Sequence, residues 1–290
     1  MAPAGIAPAG IAPVRTTEAD WRLAASALGR TGKVMGGTVY RVSFPRRDLR
    51  VTSYGVAVKA GLSLGGYAGF ARYPDRVTLM MGDLIVTEPE LQKVTDALHA
   101  RGLEQTALHK HLLAHQPPVW WTHFHGMGSD AAALARGLKA ALDVTATPPA
   151  TTPGSPPPVD LDTAGIDAAL GAKGTNDGGI YKFTFARTET ITDHGRILPP
   201  GFGVTTAIGF QPAGGRRAAI NGDFAMVADE VNKVIVALRR GGISIVELHN
   251  HMLMDDPRLF YMHFWAVDGG TKLARALRPA IDATRVRPAG

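Results

Sequence analysis

The chain has 290 residues, enough for one large or two ordinary domains, and an apolar share of 45% fits a protein that folds around a buried core. It has no cysteine, which excludes disulfides, thiolate ligands and thiol nucleophiles, so any metal must be held by histidine, carboxylate, methionine or water. The net charge of +6 comes from scattered arginines and not from a basic run interleaved with aromatics, which argues against nucleic acid as a partner.

Residues 1–19 open on an Ala/Pro/Gly repeat from Met1 to Pro13, read as a flexible leader because it lacks the basic start and apolar core of a signal peptide. No stretch stays apolar for the roughly 18 residues that a membrane span requires. Globular sequence is expected over 20–143 and again over 161–285. Between them, 144–160 carries Pro148, Pro149, Pro153, Pro156, Pro157 and Pro158 and reads as a semi-rigid linker. The two stretches repeat each other at a constant spacing of 140 residues. Gly55 and Gly195, Gly69-Phe70 and Gly209-Phe210, Gly82-Asp83 and Gly222-Asp223, Glu90 and Glu230, and Gly102 and Gly242 all keep it. The chain is an internal duplication.

Within each repeat, glycine-punctuated strands come first, at 39–44 and 180–185. Residues 84–86 lead as a strand into a helix after Thr87, where Thr87 and Glu90 can form a capping box, Leu91, Val94 and Leu98 form the apolar stripe, and Gly102 stops the helix. A histidine-bearing hairpin follows, then a last helix over 129–142. The fold class expected is α+β: two similar halves, each with an antiparallel sheet carrying a His-rich hairpin and two helices. If both helices cover one face, the histidines lie on the other, and two such sheets can face each other across a pseudo-twofold, with both His clusters inside or at the mouth of the cleft. A β-rich barrel per half is the alternative.

Seven of the ten histidines fall in the two hairpins. His109, His111, His123 and His125 belong to the first; His249, His251 and His263 belong to the second. Residues i and i+2 of a strand share a face. A turn centred near 117 sets His111 opposite His123 and His109 opposite His125; the second copy sets His251 opposite His263 and His249 opposite Trp265, with Glu247 beside them. Imidazoles so placed can converge on one ion. A buried polar network or an anion-binding cluster remains open as the metal-free alternative. Asp83 and Asp223 would ligate directly, accept the second N–H of a ligating imidazole, or be merely solvated. Trp121 and Tyr261 would wall a pocket for a small molecule, or be core. Met252, Met254 and Met262 are expected to pack, Lys110 and Asn250 to point away, and His99, His115 and His194 to lie on the surface.

The blocks Leu108-His109-Lys110-His111-Leu112-Leu113, Leu248-His249-Asn250-His251-Met252-Leu253, Pro257 to Ala266 and Gly222-Asp223-Phe224 resemble the LppY/LpqO family, over about residues 20–284. That resemblance implies a duplicated domain of unknown function, often exported or lipid-anchored; a chain without cysteine departs from a lipoprotein.

The function expected from the residues is binding of a divalent transition metal (zinc, copper, nickel or iron) by each hairpin cluster. The second copy would use His249, His251 and His263 with Glu247 as fourth ligand, and the first would use His109, His111, His123 and His125. The other expectation is a metal-dependent enzyme of hydrolase or oxygenase type with an open three-histidine site and Glu247 or Asp223 as base.

Overall fold

A computed structural model describes residues 10–151 and 154–289; residues 1–9 of the expected leader and residues 152 and 153 of the expected linker lie outside that description. The first half runs α1 (Arg22–Leu28), β1 (Lys33–Met35), β2 (Val39–Pro45), β3 (Thr52–Ser53), β4 (Val56–Ala57), α2 (Ala60–Ser63), β5 (Gly65–Arg72), β6 (Thr78–Thr87), α3 (Glu88–His99), β7 (Glu104–His109), β8 (His115–Gln116), β9 (Val119–Gly128) and α4 (Ala131–Asp143). The second runs α5 (Thr163–Leu170), β10 (Thr175–Asp177), β11 (Ile180–Arg187), β12 (Thr192–Asp193), β13 (Arg196–Ile197), β14 (Thr205–Pro212), β15 (Arg217–Met226), α6 (Ala228–Arg240), β16 (Ser244–His249), β17 (Asp255–Asp256), β18 (Phe260–Gly269), α7 (Gly270–Asp282) and β19 (Val286–Pro288). The fold mixes helix and sheet in two similar halves.

Each half has one main antiparallel sheet, ordered β1-β2-β5-β6-β9-β7 and β10-β11-β14-β15-β18-β16, with β19 added to β11. Helices cover one face of each. Met80, Leu84 and Val86 of β6 pack against α1, α3 and α4 through Leu28, Leu98 and Leu138, and Ile220, Phe224 and Met226 of β15 do the same against α5, α6 and α7. The other faces meet. Leu79 and Met81 join Ala225 and Tyr261 in one shared core, and Ile85 and Trp121 join Ala219 and Trp265 in another. The result is four layers, helix–sheet–sheet–helix. It explains why Leu79-Met80-Met81 and Leu84-Ile85-Val86 read as apolar runs without alternation: both faces of β6 are buried.

The helix starts follow from side-chain chemistry. Thr87 N–H donates to Glu90 Oε2 at 2.8 Å, and Val227 N–H donates to Glu230 Oε2 at 3.0 Å. Val227 has no side-chain oxygen, so the second helix keeps only the glutamate half of the box. Both glutamates also hold a buried arginine: Arg46 meets Glu90, and Arg187 meets Glu230. The described end of the expected leader is tied down, since Ile11 N–H donates to Gly195 O at 2.9 Å and Val14 N–H to Arg72 O at 2.8 Å.

The hairpin register differs from the expected one. His109 pairs with Trp121, Ala107 with His123 and Glu104 with His125, and a bulge lies between Gln105 and Ala107. In the second half His249 pairs with Tyr261, Glu247 with His263 and Ser244 with Trp265. His111 and His251 lie past the strand ends, in long connections that contain β8 and β17 and the cis bonds before Pro117 and Pro257. Those connections pair with β3 and β12 instead of closing a tight turn, and the register shifts by four residues up to the bulge and by five beyond it. Face parity survives up to the bulge; the expected partners do not.

Candidate functional site

Six histidines, three from each half, meet where the open sheet faces pack. Across the halves, the His109 and His249 rings stack with centroids 4.0 Å apart, His111 lies 3.7 Å from His263, and His123 lies 3.9 Å from His251. Each pair exchanges onto its 140-residue equivalent, so one pseudo-twofold runs through the nest. The histidines do not form two separate hairpin clusters.

Several neighbours hold the rings in place. The ring nitrogen Nδ1 of His123 lies 3.2 Å from Gly82 O, and that of His263 lies 2.7 Å from Gly222 O. A carbonyl only accepts, so each Nδ1 carries the proton and each Nε2 lone pair faces the nest. Carbonyls, not Asp83 and Asp223, thus fix these tautomers. The two glycines are dictated by close approach: a Cβ at Gly82 would sit 2.0 Å from Tyr67 O, and one at Gly222 would sit 2.1 Å from Ala207 O. Trp121 stacks on His111 at 4.4 Å and Tyr261 on His251 at 3.4 Å, so these aromatics cap imidazoles and are not pocket walls. Cross-half hydrogen bonds anchor the two connections: Asn221 Nδ2 donates to His111 O at 2.7 Å, and Thr106 Oγ1 to His251 O at 2.6 Å.

Asp83 and Asp223 complete the nest. Asp83 Oδ2 lies 3.7 Å from His111 Nε2, and Asp223 Oδ2 lies 3.0 Å from His251 Nε2 and 3.9 Å from His249 Nε2. Burial pushes the Asp223 carboxyl up to about 6, and burial followed by the nearby Asp223 charge pushes Asp83 well above the ordinary range. Burial also depresses all six imidazoles, and His251 falls to about 3. At neutral pH the rings are neutral, with lone pairs free to donate. Groups whose ligand atoms all lie within 4.8 Å of one another are His109, His123 and His249; His109, His111 and His263; and Asp223, His249 and His251.

Two expected site residues fall outside. Glu247 accepts from Lys110 N–H at 2.8 Å, bracing the opposite half's connection, and belongs to none of these groups. His125 lies instead with Asp193 and His194. His115, expected on the surface, is buried and accepts from Val119 N–H through Nε2 at 3.2 Å. Asp255, 140 residues on, does the same for Leu259 N–H at 2.7 Å. The loop register that pairs them was visible in the sequence; the bracing was not, because it needs the long connection. Lys110 does point away, its ammonium 4.6 Å from the Trp120 ring.

A family model described as DUF1529, Domain of Unknown Function (DUF1259), matches residues 23–144 and again 164–283, once in each half. The resemblance to the LppY/LpqO family is corrected by that match. No curated protein matches the chain. Among solved structures, it is similar to a trimeric bacterial microcompartment shell protein, PduB, at 13% identity over 85% of this chain and 86% of that one, with a TM-score of 0.21. It is also similar to EtuB from Clostridium kluyveri at 13% identity over 86% and 88%, TM-score 0.19. A third is the double-ringed trimeric shell protein MSM0271 from the RMM microcompartment, at 10% identity over 71% and 82%, TM-score 0.17. At these scores the likeness carries no argument about the fold. The expected function, transition-metal binding by two separate hairpin clusters, is corrected: the histidines of the two hairpins merge into one nest. The alternative of an open three-histidine enzyme site falls with it, since the rings are packed between two cores.

Proposed function

We propose, for a chain that belongs to the family described as Domain of Unknown Function (DUF1259), a structural function: a two-half building unit fastened face to face through one closed histidine–aspartate centre. Its halves are residues 20–143 and 161–285, joined by 144–160, and each contributes a sheet whose histidine-bearing strand pair faces inward. The cofactor assigned to the centre is a divalent transition cation, which serves as a fastening and not as cargo or reagent. Neutral imidazoles suit zinc, copper, nickel or iron. His109, His111, His123, His249, His251 and His263 would hold it, with Asp83 and Asp223 supplying compensating charge.

One observation carries this reading. His109 Nδ1, His123 Nε2, His263 Nε2, both ring nitrogens of His249, His251 Nδ1, and Oδ1 of Asp83 and Asp223 are buried with no hydrogen-bond partner. Each such atom costs about 1–3 kcal/mol when left unmet. Concentrated at one place, that cost calls for an occupant with several positive valences to share. The centre is also closed. Trp121 and Tyr261 cover it, and surface cavities of about 410 and 730 Å³ lie elsewhere, around Tyr54. Structural metal sites are closed in this way, whereas catalytic ones keep a position open.

The test is elemental analysis and thermal unfolding of untagged protein, with and without a chelator. A cation present at a thousand times its Kd contributes about 4 kcal/mol, and a chain of this size shifts by roughly 2–4 °C per kcal/mol. At least one transition-metal equivalent per chain is expected, with a melting temperature roughly 10 °C lower once it is removed. Metal-free protein that melts identically in both conditions would overturn the reading.

A further inference from the structure

At one edge of the interface, His125 of β9 meets the tight turn between β12 and β13. His125 Nε2 lies 2.9 Å from Asp193 Oδ2, and His194 Nδ1 lies 3.0 Å from the same oxygen. The other oxygen, Asp193 Oδ1, is buried and has no hydrogen-bond partner, although the residue is only 1% exposed. Asp193 pairs with Asp255 across β12 and β17, and Asp255 Oδ1 is likewise buried without a hydrogen bond, with the Arg258 guanidinium 3.0 Å away. Glu104 Oε2 stands 3.7 Å from His125 Nδ1 on the solvent side. The Arg196 guanidinium is bound to Asp75 and donates to His194 O at 3.2 Å. Unlike the central nest, this group reaches solvent, through the His194 side chain at 32% exposure and Glu104 at 59%.

The pseudo-twofold supplies an internal comparison. The residues 140 positions away from His125, Asp193, His194 and Glu104 are Trp265, Ser53, Tyr54 and Ser244. There the same backbone frames a cavity of about 410 Å³ lined by Tyr54, Trp265 and Ser244, with no ligand-type side chain among those three. His194 and Tyr54 even share the left-handed turn conformation, with φ of 48° and 47°. One frame therefore carries two imidazoles and a buried carboxylate, and the other carries aromatics and hydroxyls. Folding alone does not require the first set.

We propose that His125, Asp193 and His194 form a second site, for a solvent-exchangeable divalent first-row transition cation. Two imidazoles and one carboxylate leave coordination positions open to water or a small anionic ligand. Glu104 is placed to accept a hydrogen bond from such a ligand or from His125.

The test is titration of chelator-stripped full-length protein with Co²⁺, followed by equilibrium dialysis and by visible absorption. Two classes of binding are expected, one tight and one weaker and exchangeable. His194→Tyr copies the residue that the other half tolerates at this turn, so the fold and melting temperature should hold. Loss of a direct ligand should cost more than the 10–100-fold typical of outer-shell changes, so the weaker class should weaken at least about 100-fold while the tight class is unmoved. An exchangeable class unaffected by H194Y, or none at all, overturns this inference. Its presence without the tight class would sustain it and remove the structural reading of the nest.

Discussion

At the scale of single residues, two glycines and eight polar side chains set the character of the centre. Gly82 and Gly222 are legible as a repeated Gly-Asp pair, but the sequence offers no sign that each backbone lies against a neighbouring carbonyl. Gly222→Ala should destabilise the protein by about 3 kcal/mol through overpacking, read as a lower urea midpoint at constant slope. The pH dependence follows from the titrating groups. His251 is depressed to about 3 from 6.5, so the unfolded chain binds its proton between those values and the native chain does not. Stability carried by the neutral ring is thus lost as pH falls through that window. Asp223, raised to about 6 from 3.8, has the opposite sign: the native chain holds the extra proton, and acid favours folding. Asp83 shares that sign. Six depressed imidazoles outnumber two raised carboxyls, so chelator-treated protein should lose stability between pH 7 and 5, with net proton uptake on unfolding. A flat profile there would show that the imidazoles are not held neutral.

At the scale of elements, helix starts and the alternation of faces were readable and strand partners were not. Thr87 with Glu90, and the Leu91, Val94 and Leu98 stripe, sit on α3 as expected. The register failed because residues 110–118 do not make a tight turn; part of that stretch pairs with β3, and that contact is remote in sequence. The same remoteness hid His194 and Asp193, which reach His125 only through the opposite half. Buried arginines were missed for a similar reason. Arg187 is 1% exposed and bound by Glu230, itself 2% exposed, while the equivalent Glu90 is 12% exposed on Arg46. Removing one member of a buried pair costs about 3–5 kcal/mol. Glu230→Ala should therefore be the more damaging substitution, with Glu90→Ala nearer the lower figure. Equal, small shifts in chemical denaturation would contradict that ranking.

At the scale of the whole molecule, duplication was plain from the constant spacing, and so was the facing of two histidine-bearing sheets across a pseudo-twofold; the mixing of rings from both halves within single ligand groups was not, because it depends on the closeness of the sheets and not on periodicity. Met252, Leu259 and Tyr261 of the second half share a core with Val39, Leu79 and Met81 of the first. A fragment comprising residues 154–289 should accordingly bind dyes for exposed apolar surface, unfold with poor cooperativity and hold cation far more weakly than the full chain. The most direct measurement is a crystal structure of the protein as purified, with anomalous diffraction collected at transition-metal absorption edges. An anomalous peak within coordination distance of imidazoles from both halves, among His109, His111, His123, His249, His251 and His263, is the predicted result. Peaks confined to the histidines of one half, or an unmetallated nest whose ring nitrogens are satisfied by ordered water, would contradict it.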